Sequence, residues 1–135
     1  MADDENLAEL ERDLLVLLGD PYSSHQDING VDAFFRTLYE SELRDCLRRA
    51  YKEVSPIEQQ FELDRWKLSY SLQAINGRAL PDNLEAKRKL IDSWLTIYVQ
   101  LLVDAFDTVC TEEEDKILQL KNSTGILEQT SNEDE

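Results

Sequence analysis

A chain of 135 residues is long enough to bury a core, and a hydrophobic content of 41% is ordinary for a globular protein. Four glycines and three prolines are few for a sheet protein of this size, which needs many turns, so long helices are favoured. The net charge of −15 disfavours nucleic-acid binding through phosphate contacts.

The excess negative charge lies at the two ends of the chain. Residues 1–20 hold seven acids and one base, and residues 111–135 hold eight acids and two bases. The residues between them carry a net charge of only −3. The acidic ends either keep the chain in solution or form a surface aimed at a basic partner.

The first predicted helix covers about residues 4–18. Its leucines recur at steps of three and four and form one stripe: Leu7, Leu10, Leu14, Leu17 and Leu18. Gly19 is a natural C-terminal stop, and Asp20-Pro21 reinforces it. We expect a loop over residues 19–30.

The second predicted helix runs from about Val31 to Val54, with apolar residues at helical spacing. Its stripe rotates midway, which predicts a bend or a change of packing partner. Arg44, Arg48 and Lys52 share one face. They form either a docking patch for an acidic partner or a solvated face with weak ion pairs, since a glutamate precedes Arg44 by four residues.

The third predicted helix begins at Pro56, because Ser55-Pro56-Ile57-Glu58 is a capping box, and ends near Ile75 before Asn76-Gly77. One face carries the apolar residues Ile57, Phe61, Leu68, Leu72 and Ile75. The opposite face carries Leu63, Trp66 and Tyr70. The helix therefore either lies between two neighbours or presents a second interface, and we predict Leu63, Trp66 and Tyr70 as partner-binding residues.

The fourth predicted helix runs from about Leu84 to Cys110 and opens on a basic run, Lys87-Arg88-Lys89, that is a second candidate docking patch. Residues 94–106 are apolar except for Thr96, Gln100 and Asp104, which form a narrow polar stripe. Such a helix is central to a fold or lies in an oligomer interface. Thr111 with Glu114 predicts a short fifth helix to about residue 121, although one continuous helix is an alternative.

The predicted fold class is therefore all-α: a bundle of four main helices and a short C-terminal fifth. We expect a single helical domain over residues 1–122. Residues 123–135 are predicted to form an acidic, disordered tail, with Ile126 and Leu127 as its apolar exception.

Residues that could carry chemistry are scarce. His25, the only histidine, is interpreted as an ordinary surface residue, and Cys46 and Cys110 as small buried hydrophobes. Four scattered glycines form no phosphate loop. We predict no catalytic residues, no cofactor and no metal ligands.

The N-terminus is acidic and lacks a secretory signal, and the longest apolar stretch is too short to cross a membrane, so we expect a cytoplasmic or nuclear location. We predict a non-catalytic protein–protein interaction module, an adaptor, subunit or assembly factor. Its partner is another protein or, as a homodimer, a second copy of the chain. The alternative is an acidic decoy that inhibits a nucleic-acid-binding protein. Carboxylates aligned on one surface would favour the decoy, and an exposed apolar patch would favour the module.

Overall fold

The computed structural model describes Glu9 and residues 19–124. These residues contain four helices and four strands, in the order β1 Ser23–Ile28, β2 Val31–Arg36, α1 Glu40–Ala50, α2 Pro56–Ser71, β3 Leu72–Ile75, β4 Arg78–Ala79, α3 Leu84–Asp92 and α4 Thr96–Thr124. The strands form one antiparallel sheet with neighbours in the order of the chain. The prediction of an all-α helical bundle is therefore wrong, and the described chain is a mixed α/β fold.

The first hairpin occupies residues that we expected to form a loop and the start of a helix. Asn29 and Gly30 both have positive φ, 53° and 87°, which is the geometry of a two-residue turn matched to the twist of a hairpin. In β2, Ala33 and Phe35 are buried, while Phe34 is only partly covered. Burial along β2 therefore alternates with a period of two, and the helical spacing that we inferred for these residues was misleading.

The second correction concerns the end of the third predicted helix. The helix starts at Pro56 as predicted, with the Ser55 hydroxyl accepting a hydrogen bond from the Ile57 amide, but it ends at Ser71. Residues 72–75 leave the helix and pair with β2. Asn76, interpreted as part of a helix stop, instead joins two strands and bonds to Asp32 of β2 through both its backbone amide and its side-chain oxygen. Pairing with a distant strand thus overrides the local helical pattern.

The fourth predicted helix is divided into α3 and α4 by residues 93–95. The short fifth helix is not separate, because α4 continues to Thr124 and the Thr111 hydroxyl bonds to the Asp107 carbonyl inside the helix. The predicted helix over residues 4–18 lies outside the described residues apart from Glu9. Residues 125–135 of the predicted tail also lie outside them.

The core lies between the sheet, the second half of α2 and the middle of α4. Its buried residues are Ile28, Ala33, Phe35, Leu68, Leu72, Ile91, Val99, Leu102, Val103, Phe106 and Val109. The rings of Phe35 and Phe106 are 6.3 Å apart, so one aromatic contact joins the sheet to α4. Of the apolar stretch 94–106, for which we predicted either a central position or an oligomer interface, Val99, Leu102, Val103 and Phe106 lie in the core, whereas Leu95 and Ile97 are exposed.

Replacing Phe35 with alanine should lower the free energy of unfolding by about 3–5 kcal/mol, because it removes a fully buried ring and leaves a cavity. Urea unfolding followed by circular dichroism measures the change. Val54→Ala is the control, since Val54 is 95% exposed and should change stability by less than about 0.5 kcal/mol. Equal effects of the two substitutions would contradict this assignment of the core.

Candidate protein-binding surface

The structure places Leu63, Trp66 and Tyr70 on the side of α2 that faces α1, each of them half-buried. The Tyr70 hydroxyl donates a hydrogen bond of 2.6 Å to a carboxylate oxygen of Asp45 on α1. Leu63 lines a small cavity between the two helices. The second apolar face of α2 is therefore used largely for packing within the chain. A role of these three residues in partner binding stays a prediction.

Trp66 joins α2 to α1 and to α3. The guanidinium groups of Arg49 on α1 and Arg88 on α3 lie over its ring, with their central carbons 4.5 Å and 4.8 Å from the ring centroid. Such cation–π contacts strengthen when the partners are shielded from water. Trp66, Arg49 and Arg88 are called the Trp66 cluster below.

Carboxylates hold both arginines of the Trp66 cluster in place. Arg49 donates to Asp45 over 2.8 Å and to Glu85 over 3.1 Å. Arg88 donates to Glu62 over 2.7 Å and to Asp92 over 2.8 Å. Hydrogen bonds from Tyr70 and then from Arg49 lower the pKa of Asp45 below its usual value. The cluster therefore ties α1, α2 and α3 together through charged groups.

The candidate docking patch at the start of α3 points largely inward. Besides Arg88 in the Trp66 cluster, Lys87 is buried, and its ammonium group donates a hydrogen bond of 2.8 Å to the Leu72 carbonyl. Burial lowers the pKa of Lys87. Lys89 is the exposed member of this basic run.

The outer face of α1 presents a different surface. An open cavity of about 750 Å³ is lined there by Glu40, Ser41, Arg44, Leu47, Arg48 and Tyr51. Leu47 and Tyr51 also line the neighbouring cavity of about 120 Å³ that reaches Leu63 on α2. Leu47 and Tyr51 are the apolar residues that line the first cavity, which is called the α1 groove below.

The two arginines of the α1 groove are weakly paired. Arg44 lies 3.8 Å from Glu40, and both side chains are about three-quarters exposed at 74% and 76%. Arg48 lies 3.6 Å from Asp45, whose carboxylate already accepts hydrogen bonds from Arg49 and Tyr70. Exposed pairs of this kind contribute little, typically ~0–1 kcal/mol. Both guanidinium groups can therefore take a new carboxylate at small cost.

Sequence reasoning found the arginines of this surface and missed its apolar floor. We counted Leu47 and Tyr51 among the apolar residues at helical spacing in the second predicted helix and did not single them out as a surface. In the structure Tyr51 is 66% exposed and Leu47 is half-buried. The rotation of the stripe along that helix was the signal that could have separated them from Cys46 and Ala50, which are buried.

His25 and its neighbouring serines do not form a nucleophilic site. His25 is exposed on β1, stacks on Phe34 with ring centroids 4.4 Å apart and pairs with Asp32 over 3.0 Å. The Ser24 hydroxyl bonds to the backbone carbonyl of His25 and not to its ring. Within the described part of the chain, no three histidine, cysteine or acidic side chains are grouped as a metal site requires.

Both cysteines are free thiols, of which Cys46 is buried and Cys110 half-buried. Burial raises the pKa of Cys46 to about 12 and that of Cys110 to about 11. Burial and the hydrogen bond to Asp45 also raise the pKa of Tyr70. At neutral pH all three groups are protonated, and the thiols are poor nucleophiles.

These raised pKa values predict a loss of stability in alkali. In the unfolded chain cysteine ionises near pH ~8.5 and tyrosine near ~10, so between there and pH 11–12 the unfolded state binds fewer protons than the folded state. The stability contributed by the three protonated groups is fully present below pH ~8.5 and is lost as pH rises. Urea unfolding between pH 8 and 11 should show this fall, and it should be smaller in Cys46→Ala/Cys110→Ala. A free energy of unfolding that stays constant over this range would contradict the burial of these groups.

Replacing Trp66 with alanine should lower the free energy of unfolding by about 3 kcal/mol, because three helices lose a shared contact and two arginines lose their partner ring. Arg44→Ala is the control and should have little effect, since its side chain is exposed. Sedimentation of both variants reports on association. If Trp66→Ala keeps wild-type stability and loses association, Trp66 serves an interface instead.

Among the described residues, no helix is long and apolar enough to cross a membrane. Comparison of the chain with protein-family models, with curated proteins and with solved structures finds no match in any of the three. The function is therefore inferred from side-chain geometry and charge.

Proposed function

We propose that the chain is a non-catalytic protein-interaction module whose α1 groove binds an acidic, amphipathic helical segment of a partner protein. The partner would lay its apolar residues on Leu47 and Tyr51 and direct carboxylates at Arg44 and Arg48. The observation that carries the proposal is the exposed apolar floor flanked by two weakly paired arginines.

The groove suits a helix because its own features follow helical spacing. Arg44 and Arg48 are one turn apart on α1, and Tyr51, which caps the end of α1, is one turn beyond Leu47 and donates its backbone N–H to the Leu47 carbonyl. A partner helix lying along α1 presents side chains at the same intervals, so two apolar and two acidic residues can be matched at once. Tyrosine and arginine are also the residue types that dominate the energy of protein interfaces.

The charge of the whole chain does not prevent the groove from taking an acidic partner. At physiological salt the Debye length is ~8 Å, so charges that lie farther than this from the groove are largely screened. Lys52, predicted to share a helical face with Arg44 and Arg48, lies in the turn that follows α1, where it is exposed and adds a positive charge close to Arg48 in the chain. The field near the groove is therefore set by its nearby charges, the arginines and Lys52 together with the carboxylates of Glu40 and Asp45.

The decoy hypothesis receives less support from the described acidic residues. Glu112 accepts hydrogen bonds from Tyr22 and Gln26, and Glu113 accepts one of 2.7 Å from Thr37. These carboxylates attach α4 to β1 and to the end of β2 instead of lining an outward surface. A decoy needs carboxylates that face the solvent in an ordered row.

Two further parts of the proposal come from the sequence. The free cysteines fit a reducing compartment, so we place the chain in the cytoplasm or nucleus. A second copy of the chain is the alternative occupant of the groove, and it would appear as a homodimer.

The test uses a helical peptide with leucines on one face and glutamates along their flanks, titrated against the full chain. Arg44→Glu/Arg48→Glu should weaken binding about 30-fold or more, by the loss expected for interface anchors. The matched control, Arg78→Glu/Lys89→Glu, makes the same change in net charge at exposed positions on β4 and α3, and it should bind like the wild type. Equal loss in both double variants would show that the groove is not the binding site. Retained binding in the groove variant would do the same.

A further inference from the structure

The chain joins the described fold beside the start of α1. The Tyr22 amide donates a hydrogen bond of 2.9 Å to the Thr37 hydroxyl, and the Thr37 amide donates one of 2.8 Å to the Tyr22 carbonyl. These bonds extend the pairing of β1 with β2 by one residue on each strand. The preceding residue, Pro21, lines a cavity of about 170 Å³ together with Glu40, the first residue of α1. The amino-terminal segment of the chain is therefore attached at the amino-terminal end of α1.

The α1 groove begins at this attachment point. Glu40 lines both the cavity beside Pro21 and the α1 groove, and the residues that line the groove extend from Glu40 to Tyr51. Three residues of extended chain span at most ~10 Å, so Leu18 is tethered within that distance of Pro21. A segment that ends at Leu18 can therefore reach the groove without a long linker.

Residues 4–18, the first predicted helix, have the pattern that the proposed function requires of a ligand of the groove. Apart from Glu9 they lie outside the described residues. Their leucines recur at steps of three and four, and they hold five acids and one base. Leu10 and Leu14 are four residues apart. The two apolar residues of the groove have the same separation, and its two arginines are weakly paired. Segment and groove are therefore complementary in both apolar spacing and charge.

The length of the segment also suits the groove. Because a helix rises 1.5 Å per residue, residues 4–18 would extend ~20 Å as a helix, and the stretch from Glu40 to Tyr51 extends ~17 Å. The segment is attached at the Glu40 end, so it would lie antiparallel to α1 with its first residues toward Tyr51. It can then cover the whole groove.

We infer that residues 4–18 dock in the α1 groove of their own chain and compete there with the acidic helix of the partner. Because the groove takes the same kind of ligand in both cases, the inference rests on the proposed function. Charge complementarity selects the groove over the carboxyl-terminal half of α4. That half also reaches the cavity beside Pro21, through Ile117, but its residues 112–115 are all acidic. The described residues show the open state of the groove, in which Tyr51 is 66% exposed.

The short tether makes a weak contact sufficient. A segment joined to its site by a short linker has an effective concentration of ~1 mM. If the free segment bound with a Kd of ~0.3 mM, the docked segment would close about three-quarters of the grooves. The helix of the partner would then bind the whole chain about fourfold more weakly than it binds an open groove.

The test titrates the acidic helical peptide of the proposed function into the full wild-type chain and into Leu10→Ser/Leu14→Ser. These substitutions keep the net charge and remove apolar side chains from the segment, so the peptide should bind the variant about threefold more tightly or better. The matched control is Leu95→Ser/Ile97→Ser, in which both residues are exposed, at 74% and 70%. The control should bind the peptide like the wild type.

The leucine variant is then combined with Arg44→Glu/Arg48→Glu. In the wild-type chain the arginine substitutions weaken the docked segment and the peptide together, so part of their effect on the affinity for the peptide cancels. In Leu10→Ser/Leu14→Ser they weaken the peptide alone. The loss of affinity should therefore be about threefold larger in the leucine variant than in the wild type.

Amide hydrogen exchange of residues 4–18 reports the docked segment in the absence of peptide. Exchange should be slower in the wild type than in Arg44→Glu/Arg48→Glu, because the substitutions release the segment. Arg78→Glu/Lys89→Glu makes the same change in net charge at exposed positions and should exchange like the wild type.

Three results would overturn the inference. The first is wild-type affinity of Leu10→Ser/Leu14→Ser for the peptide while the arginine substitutions still weaken binding, which leaves the proposed function standing alone. The second is protection of residues 4–18 that persists in Arg44→Glu/Arg48→Glu, because the segment then docks elsewhere. The third is a wild-type dimer, seen by sedimentation, that the leucine substitutions abolish, because the groove then takes the segment of a second copy. If the arginine substitutions leave peptide binding unchanged with and without the leucine substitutions, the proposed function fails as well.

Discussion

The contact of Trp66 with Arg49 and Arg88 fixes the position of α2 against two other helices, and the surfaces of the molecule depend on that position. Arg88 is 9% exposed and keeps its charge because Glu62 and Asp92 both accept its hydrogen bonds. A buried charge that loses its partners is strongly destabilising, whereas one with a complete set of partners is tolerated. The Trp66 cluster therefore holds α1 and α3 only while all of its charged groups are in place.

This arrangement leaves α2 with three differently used sides. One side packs into the core through Leu68 and Leu72, at the carboxyl-terminal end of the helix. A second side, with Trp66, contacts α1 and α3. A third side borders α4 near Lys67. Because α1 is held by its inner face, its outer face with Arg44, Leu47 and Tyr51 stays open. The α1 groove is thus a consequence of this packing arrangement.

The parts of the fold that local signals determine were predicted from the sequence. The start of α2 follows from Ser55 and Pro56, and the start of α3 follows from Asn83, whose side chain accepts a hydrogen bond from the Ala86 amide. The sheet was missed because β2 and β3 pair across some forty residues, and their residues also fit a helical period. Both Asn-Gly pairs were visible as turn signals, but we interpreted one as a loop and the other as a helix stop instead of as hairpin turns.

The candidate site shows the same limit. Leu63, Trp66 and Tyr70 were grouped correctly as one face of α2, yet nothing local reveals that Arg49, Arg88 and Asp45 meet that face. Those partners come from two other helices, and only the tertiary structure brings them together. The arginines of the α1 groove were recognised by their four-residue spacing. Their importance depends on the exposure of Leu47 and Tyr51. The helical period of the sequence did not distinguish these two residues from the buried apolar residues of the same helix.

The central claim is that the α1 groove binds an acidic amphipathic helix through its apolar residues as well as its arginines. Isothermal titration of the acidic helical peptide into the wild type and into Tyr51→Ala tests it most directly, because Tyr51 is 66% exposed and its loss should leave the fold intact. The account predicts one site on the wild type and binding about tenfold weaker or more in Tyr51→Ala. Equal affinity of the two proteins for the peptide would contradict it.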